Sequence, residues 1–135
     1  MKYYTGIDIG STASKVVVLD QEKMVAHFVI PTGWNSKDTS REIARRLEEL
    51  GMPVNDDMKV IATGYGRISV DYASKVVTEI TCHGRGGYSL VGEDCTIIDI
   101  GGQDTKVITV ALLFPKYKVM FTPRSVLFSG EGQTI

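Results

Sequence analysis

Two short stretches of the chain carry the same arrangement of an aspartate, a glycine and a lysine. The sequence Ile-Asp-Ile-Gly occurs once with Asp8 and Gly10 and again with Asp99 and Gly101. In both places Lys-Val follows at the same distance from the glycine. An acidic strand end followed at once by a glycine turn is an arrangement suited to phosphate and metal binding, because it brings a carboxylate and backbone N–H groups together.

The first copy has the residue types of a phosphate-binding turn. Gly10 lacks the Cβ that would block a ligand, and Ser11 and Thr12 can donate hydrogen bonds to phosphate oxygens. Lys15 follows at the start of the next strand, where its ammonium can offset phosphate charge. Asp8 can hold Mg²⁺ through water, since this ion prefers few carboxylates and keeps much of its hydration shell.

The second copy predicts a related role with different side chains. Asp99 is the expected second Mg²⁺ carboxylate, and Gly101 and Gly102 allow the backbone to approach phosphate. Gln103 and Asp104 can orient or deprotonate a water molecule. Either turn alone is more typical of a structural hairpin. The pair indicates two turns that grip one polyphosphate from both sides.

The hydrophobic pattern predicts an α/β lobe around the first turn. Tyr3 to Ile9 is expected to be a buried strand, and "SKVVVLD" and "KMVAHFVIP" to continue it as an antiparallel meander. A helix begins at Ser36 or Thr39 and ends before Gly51, with an apolar stripe of Ile43, Leu47 and Leu50. "MKVIATG" then predicts a fourth strand parallel to the first, because a helix connects them.

The second half repeats the strand–turn–strand order. "KVVTEI" is a candidate fifth strand, and a helix is expected from about Glu79 to Leu90. Cys95 to Ile100 and Asp104 to Leu113 are predicted strands on either side of the second turn. After Phe114 the pattern predicts an irregular tail with room for one strand.

Composition and charge limit the classes of protein to which the chain can belong. The chain has 135 residues, 43% of them hydrophobic, and a net charge of -1. Its basic residues are scattered, which speaks against a nucleic-acid partner. The sequence shows no signal-peptide pattern and no membrane-spanning stretch, so a cytoplasmic protein with two reduced cysteines is expected.

Four motifs together resemble a known family. The two turns are similar to the phosphate motifs of the actin, sugar kinase and heat-shock chaperone ATPase superfamily. "GIDIGSTASKVVVL", "ATGYGR", "EITCH" and "IDIGGQDTKVI", in this order, resemble the ATPase activators of 2-hydroxyacyl-CoA dehydratases and the ATPase subunits of benzoyl-CoA reductases. The resemblance runs from about Tyr3 to Val110.

The resemblance implies a fold and a reaction. The fold is a ribonuclease H-like lobe with a mixed sheet at residues 1–93, followed by the beginning of a second lobe at 94–135. The implied cofactors are ATP and Mg²⁺. The family is expected to work as a homodimer that holds one [4Fe-4S] cluster and uses ATP hydrolysis to drive an electron into a dehydratase or reductase component.

After Val110 the sequence departs from that family pattern, which continues with a cluster-ligand cysteine and a glycine-rich adenosine motif. Neither Cys82 nor Cys95 matches a ligand position, so no iron–sulfur ligand is assigned in this chain. A truncated activator is therefore expected. An incomplete nucleotide-binding or interaction lobe is the alternative, and a small-molecule kinase fits the motif series less well. For Arg67 of "ATGYGR", a phosphate or carboxylate contact and a plain surface position stay equally open.

Overall fold

The computed structural model describes residues 2–101, 104–113, 116–123 and 133–134. The chain forms two compact units, Met1–Val77 and Thr78–Ile135. The division precedes a helix, Glu79–Val91, that packs on the sheet of the second unit. The predicted boundary between two ATPase lobes, at residues 93 and 94, stays a prediction.

The first unit is built on a five-stranded mixed sheet, as predicted. Its strand order is β3-β2-β1-β4-β5, with the strands at Tyr3–Ile9 (β1), Ala13–Asp20 (β2), Lys23–Pro31 (β3), Met58–Thr63 (β4) and Lys75–Val76 (β5). The first three strands form the expected antiparallel meander. β4 runs parallel to β1, which confirms the crossover inferred from the intervening helix.

Helix α1, Ser36–Glu49, covers one face of this sheet. It starts at Ser36, the first of the two predicted positions, and the side chain of Asn35 caps it by accepting a hydrogen bond from the backbone N–H of Lys37 at 2.9 Å. Ile43 and Leu47 are fully buried, and each such burial contributes about 2 kcal/mol.

The prediction that Leu50 belongs to the apolar stripe of α1 is wrong, because Leu50 is 54% exposed. Leu50 lies beyond the last helical residue, and the chain turns away at Gly51, which has a φ of 76°. Met52 takes the buried position instead, with its N–H bonded to the carbonyl of Leu47 at 2.9 Å. The helical period therefore stops one residue too early for Leu50 to face the sheet.

The segment after β4 is a tight loop rather than a regular helix. Only Arg67–Ser69 forms a single 3₁₀ turn, and the predicted fifth strand is reduced to the two residues of β5. Tyr72 fastens this segment to α1, because its hydroxyl donates to the backbone carbonyl of Ser40 at 2.7 Å. Burial raises the pKa of Tyr72.

The second unit is an antiparallel sheet with the order β6-β7-β8-β9, packed against helix α2, Glu79–Val91. Its strands are Cys95–Ile100 (β6), Thr105–Leu113 (β7), Lys116–Pro123 (β8) and Gln133–Thr134 (β9). The described parts of the tail, 116–123 and 133–134, are thus more regular than predicted. β8 pairs with β7 from Lys106↔Pro123 to Leu113↔Lys116, so the hairpin compensates for a weak hydrophobic period.

Glycines let α2 approach its sheet closely. A Cβ at Gly87 would overlap the side chain of Ile97, so any other residue here would have to displace that side chain. Ile108 and Val110 are buried. The helix ends at Gly92, which has a φ of 78° and donates its N–H to the carbonyl of Tyr88 at 2.7 Å.

The two Ile-Asp-Ile-Gly copies differ in what covers their isoleucines. Ile7 and Ile9 are buried at 1% and 0% exposure, whereas Ile98 and Ile100 are 68% and 78% exposed. Side chains alternate between the two faces of a strand, so in β6 the exposed isoleucines lie opposite the face that carries Ile97 and Asp99.

Neither helix of the described residues is long and apolar enough to cross a membrane.

Replacing Tyr72 by Phe tests the contact between the loop and α1. The loss of one partly buried hydrogen bond lowers the free energy of unfolding by about 1 kcal/mol, as measured by urea denaturation followed by circular dichroism. Tyr4→Phe, at a 45% exposed tyrosine, is the control and changes stability less.

The comparison of wild type with Tyr72→Phe also predicts how stability depends on pH. The folded-state pKa of Tyr72 is raised, so its contribution is complete below the unfolded pKa of about 10 and declines as pH rises through the folded value. The stability difference between wild type and Tyr72→Phe should therefore shrink above about pH 10. A difference that stays constant or grows there would contradict the contribution of Tyr72.

Candidate phosphate and metal site

The two turns predicted from the repeat have the same backbone register. In the β1–β2 hairpin Asp8 pairs with Lys15, and in the β6–β7 hairpin Asp99 pairs with Lys106. Each turn is closed by the N–H of its glycine. Gly10 donates to the carbonyl of Ala13 at 3.2 Å, and Gly101 donates to the carbonyl of Asp104 at 2.8 Å. The sequence repeat is therefore also a structural repeat.

The first turn presents an aspartate, a lysine and two exposed hydroxyl residues. Lys15 Nζ lies 3.3 Å from Asp8 Oδ2, and the side chain of Lys15 is half exposed. Ser11 and Thr12 are exposed at the tip of the turn. A Cβ at Gly10 would lie 2.7 Å from the carbonyl oxygen of Ala13, so the turn requires glycine here.

Thr32 braces this turn from the end of β3. Its hydroxyl donates to the carbonyl of Gly10 at 2.7 Å and lies 2.8 Å from the hydroxyl of Ser14. Its backbone N–H donates to the carbonyl of Thr12 at 3.0 Å. The hydroxyl residues at the tip are consequently carried on a backbone that is already held in place.

The loop after β4 forms the other side of the Asp8 site. Gly64 has a φ of 90°, and a Cβ there would collide with Asp8 Oδ1 and with the carbonyl of Ile9. Gly66 donates its N–H to that same carbonyl at 2.9 Å. "ATGYGR" is thus a close backbone approach to the end of β1.

Arg67, for which two interpretations stood open, contacts its own loop. Its Nη1 donates to the carbonyl of Gly64 at 3.0 Å. This contact stabilises the loop that surrounds Asp8. A direct contact with phosphate stays a prediction.

In the part of the chain that the structure describes, two buried oxygens on residues at the ends of β1 and β4 have no hydrogen-bond partner. They are Asp8 Oδ1 and Thr63 Oγ1, on residues that pair across the parallel strands. Paired residues of neighbouring strands project to the same face of the sheet. Buried polar atoms are nearly always satisfied by protein, water or an ion, so these two oxygens are candidate contacts for water or a cation.

The second turn is chemically different, because its lysine is surrounded by carboxylates. Lys106 Nζ lies 2.7 Å from Asp104 Oδ2, 3.0 Å from Glu79 Oε2 and 3.9 Å from Asp99 Oδ2. Its side chain is 12% exposed, against 50% for Lys15. Burial favours the neutral amine, but the hydrogen bonds to Asp104 and Glu79 outweigh it, so the pKa of Lys106 is raised.

Gly102 and Gln103, the remaining predicted residues of this turn, lie outside the described residues. Asp104 is described, and its side chain is directed to Lys106. The predicted water-orienting role of Gln103 and Asp104 therefore stays a prediction.

His83 and the cysteines do not form a metal centre in the described part of the chain. His83 Nδ1 lies 3.4 Å from Asp99 Oδ2, yet the geometry is not that of a hydrogen bond. Cys82 and Cys95 are not joined in a disulfide. Among the described residues no three His, Cys, Asp or Glu side chains are grouped to hold a metal ion.

Three participants were not assigned a role from the sequence. Lys106 was visible as part of the repeated Lys-Val, and Glu79 as the first residue of "EITCH", but their contact depends on how α2 packs. Thr63 gave no signal beyond its place before a glycine. Its importance follows from strand register alone.

The donor set at Asp8 fits Mg²⁺. One carboxylate oxygen without a partner, a neighbouring hydroxyl and an exposed turn are the hard oxygen ligands that leave most of the hydration shell in place. The described residues do not fit an iron–sulfur cluster, because such clusters are held by grouped thiolates and neither cysteine belongs to a metal-binding group.

Comparison with known proteins identifies relatives. The model of the BadF/BadG/BcrA/BcrD ATPase family matches residues 5–134. A 2-hydroxyisocaproyl-CoA dehydratase activator of Clostridioides difficile is 44% identical over 107 residues, which are 78% of this chain and 40% of that protein. An activator of lactoyl-CoA dehydratase of Anaerotignum propionicum is also 44% identical, over 78% of this chain and 41% of its own length.

Solved structures show the same fold. Component A of (R)-2-hydroxyglutaryl-CoA dehydratase from Acidaminococcus fermentans matches with a TM-score of 0.72 and 36% identity, over 88% of this chain and 47% of that chain. The ethanolamine utilization protein EutJ of Carboxydothermus hydrogenoformans, at 17% identity and a TM-score of 0.60, shares the fold alone. The actin-like, ribonuclease H-like fold expected from the sequence is therefore confirmed.

The chain spans less than half the length of the two activators and of component A. The family match nevertheless extends over nearly all of its residues and includes both turns. The chain belongs to the BadF/BadG/BcrA/BcrD ATPase family.

Proposed function

We propose that this chain binds Mg·ATP through the turn at Asp8 and belongs to an ATP-hydrolysing activator of a CoA-ester dehydratase or reductase. The observation that carries the proposal is the unpartnered Asp8 Oδ1, enclosed by two glycine turns beside a half-exposed lysine. Membership of an ATPase family supports it, as do relatives that are named activators of 2-hydroxyacyl-CoA dehydratases.

Each group of the first turn has a defined part in this proposal. The exposed hydroxyls of Ser11 and Thr12 and the N–H groups of the turn donate to phosphate oxygens. Lys15, which forms an ion pair with Asp8 alone among the described residues, turns toward the phosphate charge. Gly10 and Gly64 keep the approach free of side chains.

Asp8 and Thr63 provide the oxygens beside which Mg²⁺ would be held. Bound there, the ion neutralises phosphate charge and so favours phosphoryl transfer to water. The chain's own contribution is to hold the carboxylate in place before the nucleotide arrives, through the packing of Gly64 and Gly66 against the end of β1.

The second turn supplies Asp99 and Asp104 to the same reaction in this proposal. Asp99 is the second metal-directed carboxylate, and Asp104 with Gln103 orients a water molecule. Gly101 and Gly102 leave room for phosphate. The coupled electron transfer, its [4Fe-4S] cluster, the homodimer and the dehydratase or reductase partner belong to the longer relatives' architecture and are proposed for this chain only as part of such an assembly.

Nucleotide binding and turnover test the proposal directly. Calorimetric titration of ATP in the presence and absence of Mg²⁺ should show Mg²⁺-dependent binding, with phosphate release measured in parallel. Binding without turnover would favour the alternative of a nucleotide-binding lobe that does not hydrolyse ATP. No binding of ATP under either condition would contradict the proposed function.

The substitution Asp8→Asn should weaken Mg·ATP binding by about tenfold or more, because it removes the charge that attracts the metal and leaves the shape of the site unchanged. Calorimetry provides the measurement. Asp38→Asn, at a largely exposed aspartate of α1, is the matched control and should leave the affinity unchanged. Equal affinities of wild type and Asp8→Asn would exclude Asp8 as the metal carboxylate.

The substitution Gly64→Ala should both destabilise the fold and displace Asp8. Gly33→Ala is its matched control, because Gly33 also has a positive φ, 65°, but nothing lies within 4 Å of a Cβ there. Backbone strain of about 1 kcal/mol is common to both variants. Only Gly64→Ala should also lose Mg·ATP affinity, and similar nucleotide binding by the two variants would argue against the close approach to Asp8.

A further inference from the structure

The second turn contains a charge arrangement that the first turn lacks. The Lys106 ammonium lies within 3.9 Å of three carboxylates, those of Asp104, Glu79 and Asp99. Within the described residues its counterpart Lys15 faces a single carboxylate, that of Asp8, at 3.3 Å. The two lysines occupy the same register of equivalent hairpins, so the difference comes from their surroundings.

Two residues create this difference. Asp104 stands where the first turn has Ala13, as the closing hydrogen bonds of the two turns show. Glu79 comes from the first turn of α2, which packs on the face of β6 and β7 that carries Asp99 and Lys106. The side chain of Lys106 is consequently almost enclosed, while Asp104 retains 60% exposure.

We propose that Lys106 is a positioning residue that holds Asp99, Asp104 and Glu79 as an internally neutralised group, so that these carboxylates do not take up a divalent cation by themselves. The proposal goes beyond the proposed function and rests on it only in treating Asp99 as a metal-directed carboxylate. In the described residues no three acidic side chains are placed to share a metal ion. Carboxylates that already surround an ammonium are expected to lack a shared geometry for a metal ion.

The inference assigns opposite roles to two equivalent lysines. Lys15, half exposed and facing one carboxylate, is available to an anion. Lys106 donates within the protein, to Asp104 and to Glu79, and keeps Asp104 directed toward the turn. Such internal pairing orients the carboxylates and lowers their attraction for a second cation.

The test uses Mg²⁺ alone, without nucleotide, titrated calorimetrically at low ionic strength into the wild-type chain and its variants. Lys106→Met should bind Mg²⁺ about tenfold more tightly than wild type, because three carboxylates lose their internal cation. Lys106→Arg keeps the charge and should remain within about twofold of wild type. Lys15→Met, the matched control in the first copy, frees only one carboxylate and should gain no more than about threefold.

The direction of the change separates positioning from packing. A lysine that served only to pack the hairpin would, when replaced, lower stability without increasing Mg²⁺ affinity. Lys106→Gln, which keeps a hydrogen-bond donor but no charge, provides a second variant with the same expected gain. Unchanged or weaker Mg²⁺ binding in the folded variants would overturn the proposal, and so would a failure of both uncharged variants to fold while Lys106→Arg folds.

The outcome is independent of the nucleotide experiments. Failure of ATP to bind would contradict the proposed function but would leave the Mg²⁺ titration of Lys106→Met interpretable. Failure of Lys106→Met to gain Mg²⁺ affinity would overturn only the positioning role.

Discussion

The carboxylate of Asp8 lies at the end of a strand that is hydrogen-bonded on both sides, and the rest of the candidate site depends on that placement. β1 pairs antiparallel with β2 and parallel with β4, so its end is fixed laterally by two neighbours. Gly64 and Gly66 then pack on this end so closely that no Cβ fits at either position. Among the described residues, one oxygen of Asp8 is enclosed without a partner, which is a costly state for an isolated protein and a useful one for binding a cation.

The duplicated hairpin gives equal backbones and unequal chemistry. The register and the glycine hydrogen bond are the same in both copies. The first copy has its aspartate enclosed by backbone and its lysine half exposed, whereas the second has its lysine enclosed by carboxylates. The two hairpins therefore share one backbone arrangement, and the elements packed against each hairpin determine what it can bind. In the first unit that neighbour is the loop after β4, and in the second it is α2.

Local patterns were sufficient to predict most elements and both turns. The alternation in β1 to β3, the glycine after each strand and the repeat itself depend on neighbouring residues, so they are visible in the sequence. The prediction that Leu50 belongs to the apolar stripe was wrong, because the helix ends at a glycine with positive φ before the helical period is complete. β8 was underestimated because strand pairing, rather than hydrophobic alternation, defines it.

The parts of the site that could not be predicted are those made by tertiary contact. Thr63 reaches Asp8 only through the parallel register of β4 with β1. Glu79 reaches Lys106 from a helix that stands far from it in the sequence. The sequence shows which residue types are present, but the partner of an acidic side chain depends on how helices and sheets pack.

Helix α2 is a poor helix by composition, and this has a consequence for how the second unit assembles. Gly84, Gly86 and Gly87 all lie within its thirteen residues, and each weakens an isolated helix by about 1 kcal/mol relative to alanine. Its order must come from docking on Ile97 and from the pairing of Glu79 with Lys106. The helix is thus coupled to the charge cluster, because local opening of α2 would separate Glu79 from Lys106, while Asp99 and Asp104 would stay on the hairpin.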